Sequence, residues 1–166
     1  MDETSPVKSH PEKLAQLIAM RADVCVIHAQ FVDRPGGSVR LDSLKQMVDQ
    51  IHAAGLLAGI STHRIQTVEQ CEAQNCGLDT YLFPLNLSGF VYPGYAGNET
   101  VAERVNLVRS VAKPFILIKT LGAGRIPPTE GLAFIAANAK PGDLVSIGLG
   151  SEDEIAETLK IAERCL

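Results

Sequence analysis

The sequence lacks the features that mark three large classes of protein. Its 166 residues carry a net charge of −4 and contain no basic stripe. A nucleic-acid partner is therefore not expected, because phosphate backbones are bound by clustered Lys and Arg. No apolar run approaches the roughly 20 residues that cross a bilayer. Residues 1–13 are polar, unlike the apolar core of a secretion signal. We therefore expect a cytoplasmic protein with no membrane partner.

Cysteine is also scarce. The four cysteines are scattered through the chain as Cys25, Cys71, Cys76 and Cys165. Cys71 and Cys76 are five residues apart on a predicted helix, so we expect them to point to different faces. This spacing is not typical of a zinc site, and free thiols are the simpler interpretation.

Apolar residues make up 46% of the chain. This fraction is enough to form the buried core of one domain. Five short runs are rich in Val, Ile and Leu. These runs are continuous rather than alternating, which is typical of parallel strands buried on both faces. They predict strands at residues 23–28, 56–62, 80–85, 115–119 and 144–148.

Segments with helical spacing follow most of these strands. Their apolar stripes are Leu44, Val48 and Ile51; Val101, Val105 and Val108; and Ile155, Leu159 and Ala162. Four pairs match the capping box that begins a helix, namely Ser9 with Glu12, Thr67 with Gln70, Thr100 with Glu103, and Ser151 with Glu154. Alternating strands and helices predict right-handed βαβ units.

Two α/β architectures fit five such units. One is a parallel (βα)5 sheet forming the later part of a TIM-type barrel, entered through a helix at residues 11–20. The alternative is an open, doubly wound sheet of flavodoxin type. We expect a single domain over residues 1–166, with a polar segment at 1–9. An unclosed sheet has unpaired edges, so we also expect a homo-oligomer or a fragment of a larger barrel.

Polar residues end four of the predicted strands: His28, His63, Asn86 and Lys119. Ligands of parallel α/β folds bind at this edge, which makes the four residues candidates for catalysis. Lys119 is the sharpest feature, because burial would lower the pKa of its amine and permit Schiff-base chemistry. A structural ion pair is the competing interpretation for Lys119, and structural hydrogen bonding for the two histidines.

Two glycine-containing segments predict an anion site beside these residues. Gly122, Gly124 and Arg125 follow Lys119, and Gly148, Gly150 and Ser151 lead into the last helix. Backbone amides and a guanidinium could hold a phosphate or a carboxylate there. The three carboxylates of Glu152, Asp153 and Glu154 oppose an anion at the last helix.

Two longer loops are candidate functional segments. Residues 30–40 include Asp33 and are expected beside His28. Residues 87–98 combine Phe90, Tyr92 and Tyr95 with three glycines, which suits either a lid over the strand ends or an interface.

The order of motifs resembles part of the aldo-keto reductase family. The matching segments are VCVIH at 24–28, followed by Asp33, then GISTH at 59–63 and GSEDE at 150–154. The resemblance covers the family's fourth to eighth strand–helix units. It implies that His28 donates a hydrogen bond to a carbonyl oxygen of a small substrate, with Asn86 and His63 orienting it, and that NADPH is the cofactor.

The sequence departs from that family in ways that bear on catalysis. The family's tyrosine, lysine and aspartate belong to the first three strands, which have no counterpart here. Thr62 or His63 replaces an asparagine. Glu152 and Asp153 stand where basic residues would hold the cofactor phosphate. The resemblance therefore predicts a divergent or incomplete barrel that binds a small carbonyl compound.

Three other functions remain open from the sequence. One is a lyase that forms a Schiff base through Lys119, with a carbonyl or phosphorylated compound as ligand. Another is metal-dependent chemistry with His28 and His63 as ligands. The last is a non-catalytic module for small-molecule binding or assembly.

Overall fold

The computed structural model describes residues 10–33, 40–90 and 99–165. In chain order, its elements are α1 His10–Ala19, β1 Val24–Ile27, α2 Ala29–Val32, α3 Leu41–Ala53, β2 Leu57–Ser61, α4 Ile65–Ala73, β3 Thr80–Pro84, α5 Val101–Ser110, β4 Phe115–Ile118, α6 Pro128–Asn138, β5 Leu144–Val145 and α7 Glu152–Cys165. The five predicted strands are all present, each shorter than predicted by one to three residues.

The strands form one parallel sheet in the order β1-β2-β3-β4-β5. Each strand therefore pairs with the next along the chain, as in a segment of a (βα) barrel. A flavodoxin-type sheet places its second strand outside the first, in the order 2-1-3-4-5. The topology confirms the partial-barrel prediction and excludes the doubly wound alternative.

The core fills both faces of the central strands. Tyr81, Phe83 and Phe115 are fully buried, with ring centroids of neighbouring pairs 5.3 Å and 6.0 Å apart. Strands β2 and β3 approach closely at Gly59, where a Cβ atom would lie 2.8 Å from Thr80 Cγ2. These contacts explain why the predicted strands read as continuous apolar runs.

Carboxylates form hydrogen bonds between neighbouring strands at the amino ends of two strands. Asp79, just before β3, accepts a hydrogen bond of 2.7 Å from the Ala58 amide of β2. Asp143, just before β5, accepts one of 2.8 Å from the Phe115 amide of β4. This repeated contact fixes strand register at the edge opposite the predicted site.

The helix starts agree with the capping predictions only in part. Thr100 and Glu103 form the complete capping box of α5. Helix α4 instead begins at Ile65, two residues before the predicted cap, and Thr67 lies inside its first turn. The Ile65 amide donates to Glu99 Oε1 at 3.1 Å, so a distant residue caps this helix. The predicted box at Ser9 lies outside the described residues.

Cys71 and Cys76 are both buried, and both are free thiols, as are the other two cysteines. The expectation that they point apart was wrong. Helix α4 ends at Ala73, and the chain turns back so that the Cys76 amide donates to the Cys71 carbonyl. The two thiols are therefore close enough that each shifts the pKa of the other.

The sheet is open beyond β5, and this leaves apolar surface uncovered. Leu144 of β5 is 60% exposed, and Ile155 and Leu159 of the α7 stripe are 44% and 58% exposed. The stripe predicted to face a core is therefore largely exposed, because no further strand lies beside it in the described chain. None of the described helices is long and apolar enough to cross a membrane.

Candidate functional site

A cleft of about 740 Å³ opens at the carboxyl ends of β4 and β5. It brings together four of the residues predicted from the sequence: Lys119, Gly124, Arg125 and Gly148. The chain segment after β4 and the start of α7 form its walls. The cleft lies at the strand edge where ligands of parallel α/β folds bind.

Lys119 has an unusual backbone conformation for a residue with a side chain. Its φ is +58°, in the left-handed region that costs a non-glycine residue about 1 kcal/mol or more. Two donors hold its carbonyl oxygen: the Gly122 amide at 2.9 Å and Asn86 Nδ2 at 3.0 Å. These two hydrogen bonds stabilise the left-handed backbone conformation of Lys119.

Asn86 and Gly122 therefore support Lys119 and do not face the cleft. Asn86 is 1% exposed, and its Oδ1 accepts a hydrogen bond of 2.8 Å from the Ser88 amide. Gly122 is buried at a φ of +53°. The sequence predicted ligand contacts for both residues, and the structure places both on the backbone of the Lys119 turn.

The Lys119 amine is partly buried. Burial lowers its pKa, and the nearby positive charge of Arg104 lowers the pKa further. Its Nζ lies 4.4 Å from the centroid of the Phe90 ring. The ion pairs found within the described residues do not include Lys119, so the structural interpretation of this lysine gains no support.

Thr120 adds a polar atom that the sequence did not point to. Its side chain is 1% exposed and lines the cleft, yet its Oγ1 has no hydrogen-bond partner within the described chain. A buried hydroxyl without a partner costs about 1–3 kcal/mol.

The two predicted anion segments differ in what they offer. Arg125 is exposed and lines the cleft beside Gly124. The Gly150 amide already donates to Glu154 Oε2 at 2.7 Å, and Ser151 Oγ accepts from the Glu154 amide. Neither Gly150 nor Ser151 lines the cleft. Two amides at the start of α7 are thus already engaged by side chains of the same segment, whereas Arg125 offers its guanidinium to the cleft.

A second polar cluster lies at the end of β2, around the carboxylate of Asp33. Asp33 accepts hydrogen bonds from Thr62 Oγ1 at 2.5 Å, the His63 amide at 2.8 Å, His63 Nδ1 at 3.1 Å and Thr67 Oγ1 at 3.1 Å. Burial acts to raise the pKa of Asp33, but the hydrogen bonds from His63 and Thr62 outweigh it and hold the pKa below its ordinary value. Asp33 is therefore ionised at neutral pH.

Arg104 of α5 packs beside this cluster. It is only 1% exposed, and its Nη2 donates to Glu99 Oε2 at 2.7 Å and to the His63 carbonyl at 2.8 Å. Its guanidinium carbon lies 5.5 Å from the centroid of the Phe90 ring. Burial lowers the pKa of Arg104 although Glu99 opposes the change.

His28 stands apart from these groups. It is exposed and caps the short helix α2, where its Nδ1 accepts a hydrogen bond from the Gln30 amide at 3.2 Å. Within residues 10–33, 40–90 and 99–165, no group of three or more His, Cys, Asp or Glu side chains could hold a metal ion. Residues 34–39 and 91–98, which complete the two predicted functional loops, lie outside the described residues.

Sequence reasoning passed over three buried polar residues of this region. Asp33 was noted only as a neighbour of His28, Thr120 carried no signal, and Arg104 was hidden beside the apolar stripe of its helix.

Solved structures with a similar fold include thiamine phosphate pyrophosphorylase from Pyrococcus furiosus, with a TM-score of 0.58 and 18% identity over 92% of this chain. N-acetylmannosamine-6-phosphate 2-epimerase from Clostridium perfringens gives a TM-score of 0.50 and 20% identity, again over 92% of this chain. This chain spans 65% and 60% of the length of those two chains. The sequence matches no protein-family model and no curated protein.

The fold and these likenesses define the class: the chain is a partial TIM-type barrel. At 18% and 20% sequence identity, the likeness to these two structures concerns the fold alone.

Proposed function

We propose that the chain binds a small phosphorylated carbonyl compound in the cleft, where the Lys119 amine forms a Schiff base with it. One observation carries the proposal. The same cleft is lined by Lys119, by Arg125 and by Thr120, whose hydroxyl has no hydrogen-bond partner within the described chain. Burial lowers the pKa of the Lys119 amine. A lysine and a cationic group that can bind an anion thus line one cavity of small-ligand size.

The proposed reaction needs only the amine and the ligand. The nitrogen lone pair of the neutral amine attacks the carbonyl carbon, the carbonyl oxygen leaves as water with the two protons of the amine, and a C=N bond forms between Lys119 and the ligand. The lowered pKa favours this step, because it increases the fraction of Lys119 that carries a lone pair at neutral pH.

Binding of the ligand's phosphate group depends on Arg125 and Thr120. Arg125 can donate two hydrogen bonds to a phosphate, and Thr120 Oγ1 can donate a third. Glu154 and Glu157 also line the cleft, but Glu154 Oε2 is engaged by the Gly150 amide. The names of both structurally similar enzymes contain a phosphorylated compound, which supports this class of ligand.

The phosphate contact is tested by titration calorimetry with inorganic phosphate and dihydroxyacetone phosphate. We expect Arg125→Gln to weaken binding of both by at least about tenfold, because a hydrogen bond to a charged group is worth roughly 1.5–3 kcal/mol. Arg164→Gln is the control, since this exposed arginine lies outside the cleft. Equal affinities for the wild type and Arg125→Gln would contradict the proposed anion site.

The Schiff base is tested by borohydride reduction in the presence of dihydroxyacetone phosphate, followed by peptide mass spectrometry. We expect one reduced adduct on Lys119 and none in Lys119→Met. Lys113→Met is the control, because Lys113 pairs with Glu72 outside the cleft and its loss should leave the adduct intact. An adduct that persists in Lys119→Met would reject this role. Binding without an adduct would favour a non-catalytic binding module.

Reductase chemistry of the aldo-keto type stays a prediction that the two similar structures do not test. The residue that would carry it, His28, is exposed, is engaged with the Gln30 amide and does not line the cleft. The geometry therefore favours Schiff-base chemistry at Lys119 over hydride transfer near His28.

A further inference from the structure

The cleft at the carboxyl ends of β4 and β5 is larger than the smallest phosphorylated carbonyl compounds. Its volume is about 740 Å³. A triose phosphate has roughly ten non-hydrogen atoms, which together fill about 300 Å³ if each occupies the volume of one water molecule. More than half of the cleft would then remain open to solvent. A ligand that fills it carries a further group, and the side chains around the remaining space define the chemistry of that group.

Half-buried aliphatic side chains line the cleft on both of the chain segments that form it. Ile118 and Leu121 come from the end of β4 and the turn after it. Ile147 and Leu149 come from the segment between β5 and α7. Each of the four keeps part of its surface uncovered by the protein. An apolar ligand group that covers this surface removes it from water, which favours binding.

The charged side chains of the cleft restrict where a ligand carries its own charge. Lys119 and Arg125 belong to the end of β4 and the turn after it, whereas Glu154 and Glu157 belong to α7. Glu157 is exposed, and Glu154 is held at the Gly150 amide. The two carboxylates repel a second anionic group on the α7 side of the cleft. One phosphate at Arg125 and an uncharged remainder therefore suit the cleft best.

The apolar residues of the open sheet edge are a separate set. Leu144, Ile155 and Leu159 are exposed beyond β5, and none of them lines the cleft. Leu144 and Leu149 are leucines only five positions apart in the sequence, and Leu149 alone of the two lines the cleft. Leu144 is thus a matched control for the part that Leu149 plays in ligand binding.

We propose that the ligand of this cleft is a phosphorylated carbonyl compound that also carries one uncharged apolar group, of about the size of an aromatic ring, held by the aliphatic side chains of the two segments. This inference rests on the proposed function of the same cleft and narrows its class of ligand. Ile147 and Leu149 are then residues that determine specificity. Dihydroxyacetone phosphate reports on the amine and on the phosphate contact, but it leaves the aliphatic side chains uncovered.

The apolar contact is tested by titration calorimetry with inorganic phosphate and phenyl phosphate, which adds a ring but no carbonyl group. The Schiff base therefore does not enter the comparison. We expect the wild type to bind phenyl phosphate at least about tenfold more tightly than inorganic phosphate. Leu149→Ser should weaken binding of phenyl phosphate by about fivefold and leave that of inorganic phosphate unchanged. Leu144→Ser should change neither affinity.

The outcomes separate this inference from the proposed function. Equal affinities of the wild type for the two compounds would overturn the inference and leave the anion site standing. Equal losses in Leu149→Ser and Leu144→Ser would also overturn it. Failure of the wild type to bind either compound would reject the anion site and the inference together. The comparison of the two ligands uses the wild type alone, so it does not depend on the folding of a variant.

The requirement for an uncharged apolar group is tested with 4-carboxyphenyl phosphate. We expect its added carboxylate to weaken binding by at least about threefold relative to phenyl phosphate, because Glu154 and Glu157 repel it. Glu157→Gln should reduce this difference, whereas Glu163→Gln, on the same helix but outside the cleft, should not. Equal or tighter binding of the carboxylated compound by the wild type would overturn this part of the inference.

Discussion

Replacing Arg104 with methionine should lower the free energy of unfolding by about 3–5 kcal/mol, the usual effect of breaking a buried ion pair. The change leaves Glu99 without its cation, and it removes the donors to the carbonyls of His63 and Pro84. The ring faces of Phe83 and Phe90 would also lose a cation. Urea denaturation followed by circular dichroism measures the difference.

Arg109→Met is the control for this substitution. Arg109 lies on the same helix, α5, but is exposed, and its hydrogen bonds go to Ala137 and Asn138 at the surface. We expect a loss of at most about 1 kcal/mol there. Equal losses for the two variants would show that Arg104 does not hold the carboxyl ends of β2 and β3 together.

Asp33→Asn should lower the free energy of unfolding at pH 7 by roughly 2–3 kcal/mol, because a neutral amide cannot accept four hydrogen bonds as a carboxylate does. The pH dependence has a defined sign. The folded pKa of Asp33 lies below its ordinary value of 3.8. Its contribution is therefore complete above the unfolded pKa and is lost as pH falls through the folded pKa.

The wild type should therefore lose stability more steeply than Asp33→Asn as the pH falls below about 4, and the two curves should approach each other in acid. Asp79→Asn is the control. The Asp79 side chain is 35% exposed, so we expect a smaller difference. A constant gap between wild type and Asp33→Asn from pH 7 to the acid limit would show that the effect is not due to the carboxylate charge.

The fold could be predicted because its determinants are local. Each buried strand is a continuous apolar run, and the box at Thr100 marks the start of α5 through residues only three apart. The misplaced start of α4 shows the limit of this reasoning. Thr67 has the right spacing for a cap, but Asp33 binds its hydroxyl and Glu99 caps the helix instead. Contacts between residues more than 30 positions apart in the sequence therefore determine where α4 begins.

The candidate site could be located from the sequence but not completed. Lys119 and Arg125 were found because one ends a strand and the other follows within a short turn. Asp33 and Arg104 were missed because their partners come from other units of the sheet. Arg104 reads as an ordinary exposed charge on an amphipathic helix, and only the packed structure shows it buried between β2, β3 and Phe90.

A crystal structure of the protein reduced with borohydride in the presence of dihydroxyacetone phosphate tests the account most directly. We expect continuous density from Lys119 Nζ to the central carbon of the ligand. The phosphate should lie within hydrogen-bond distance of Arg125 and Thr120 Oγ1. A ligand attached to another lysine, or a phosphate bound away from Arg125 and Thr120, would contradict the account.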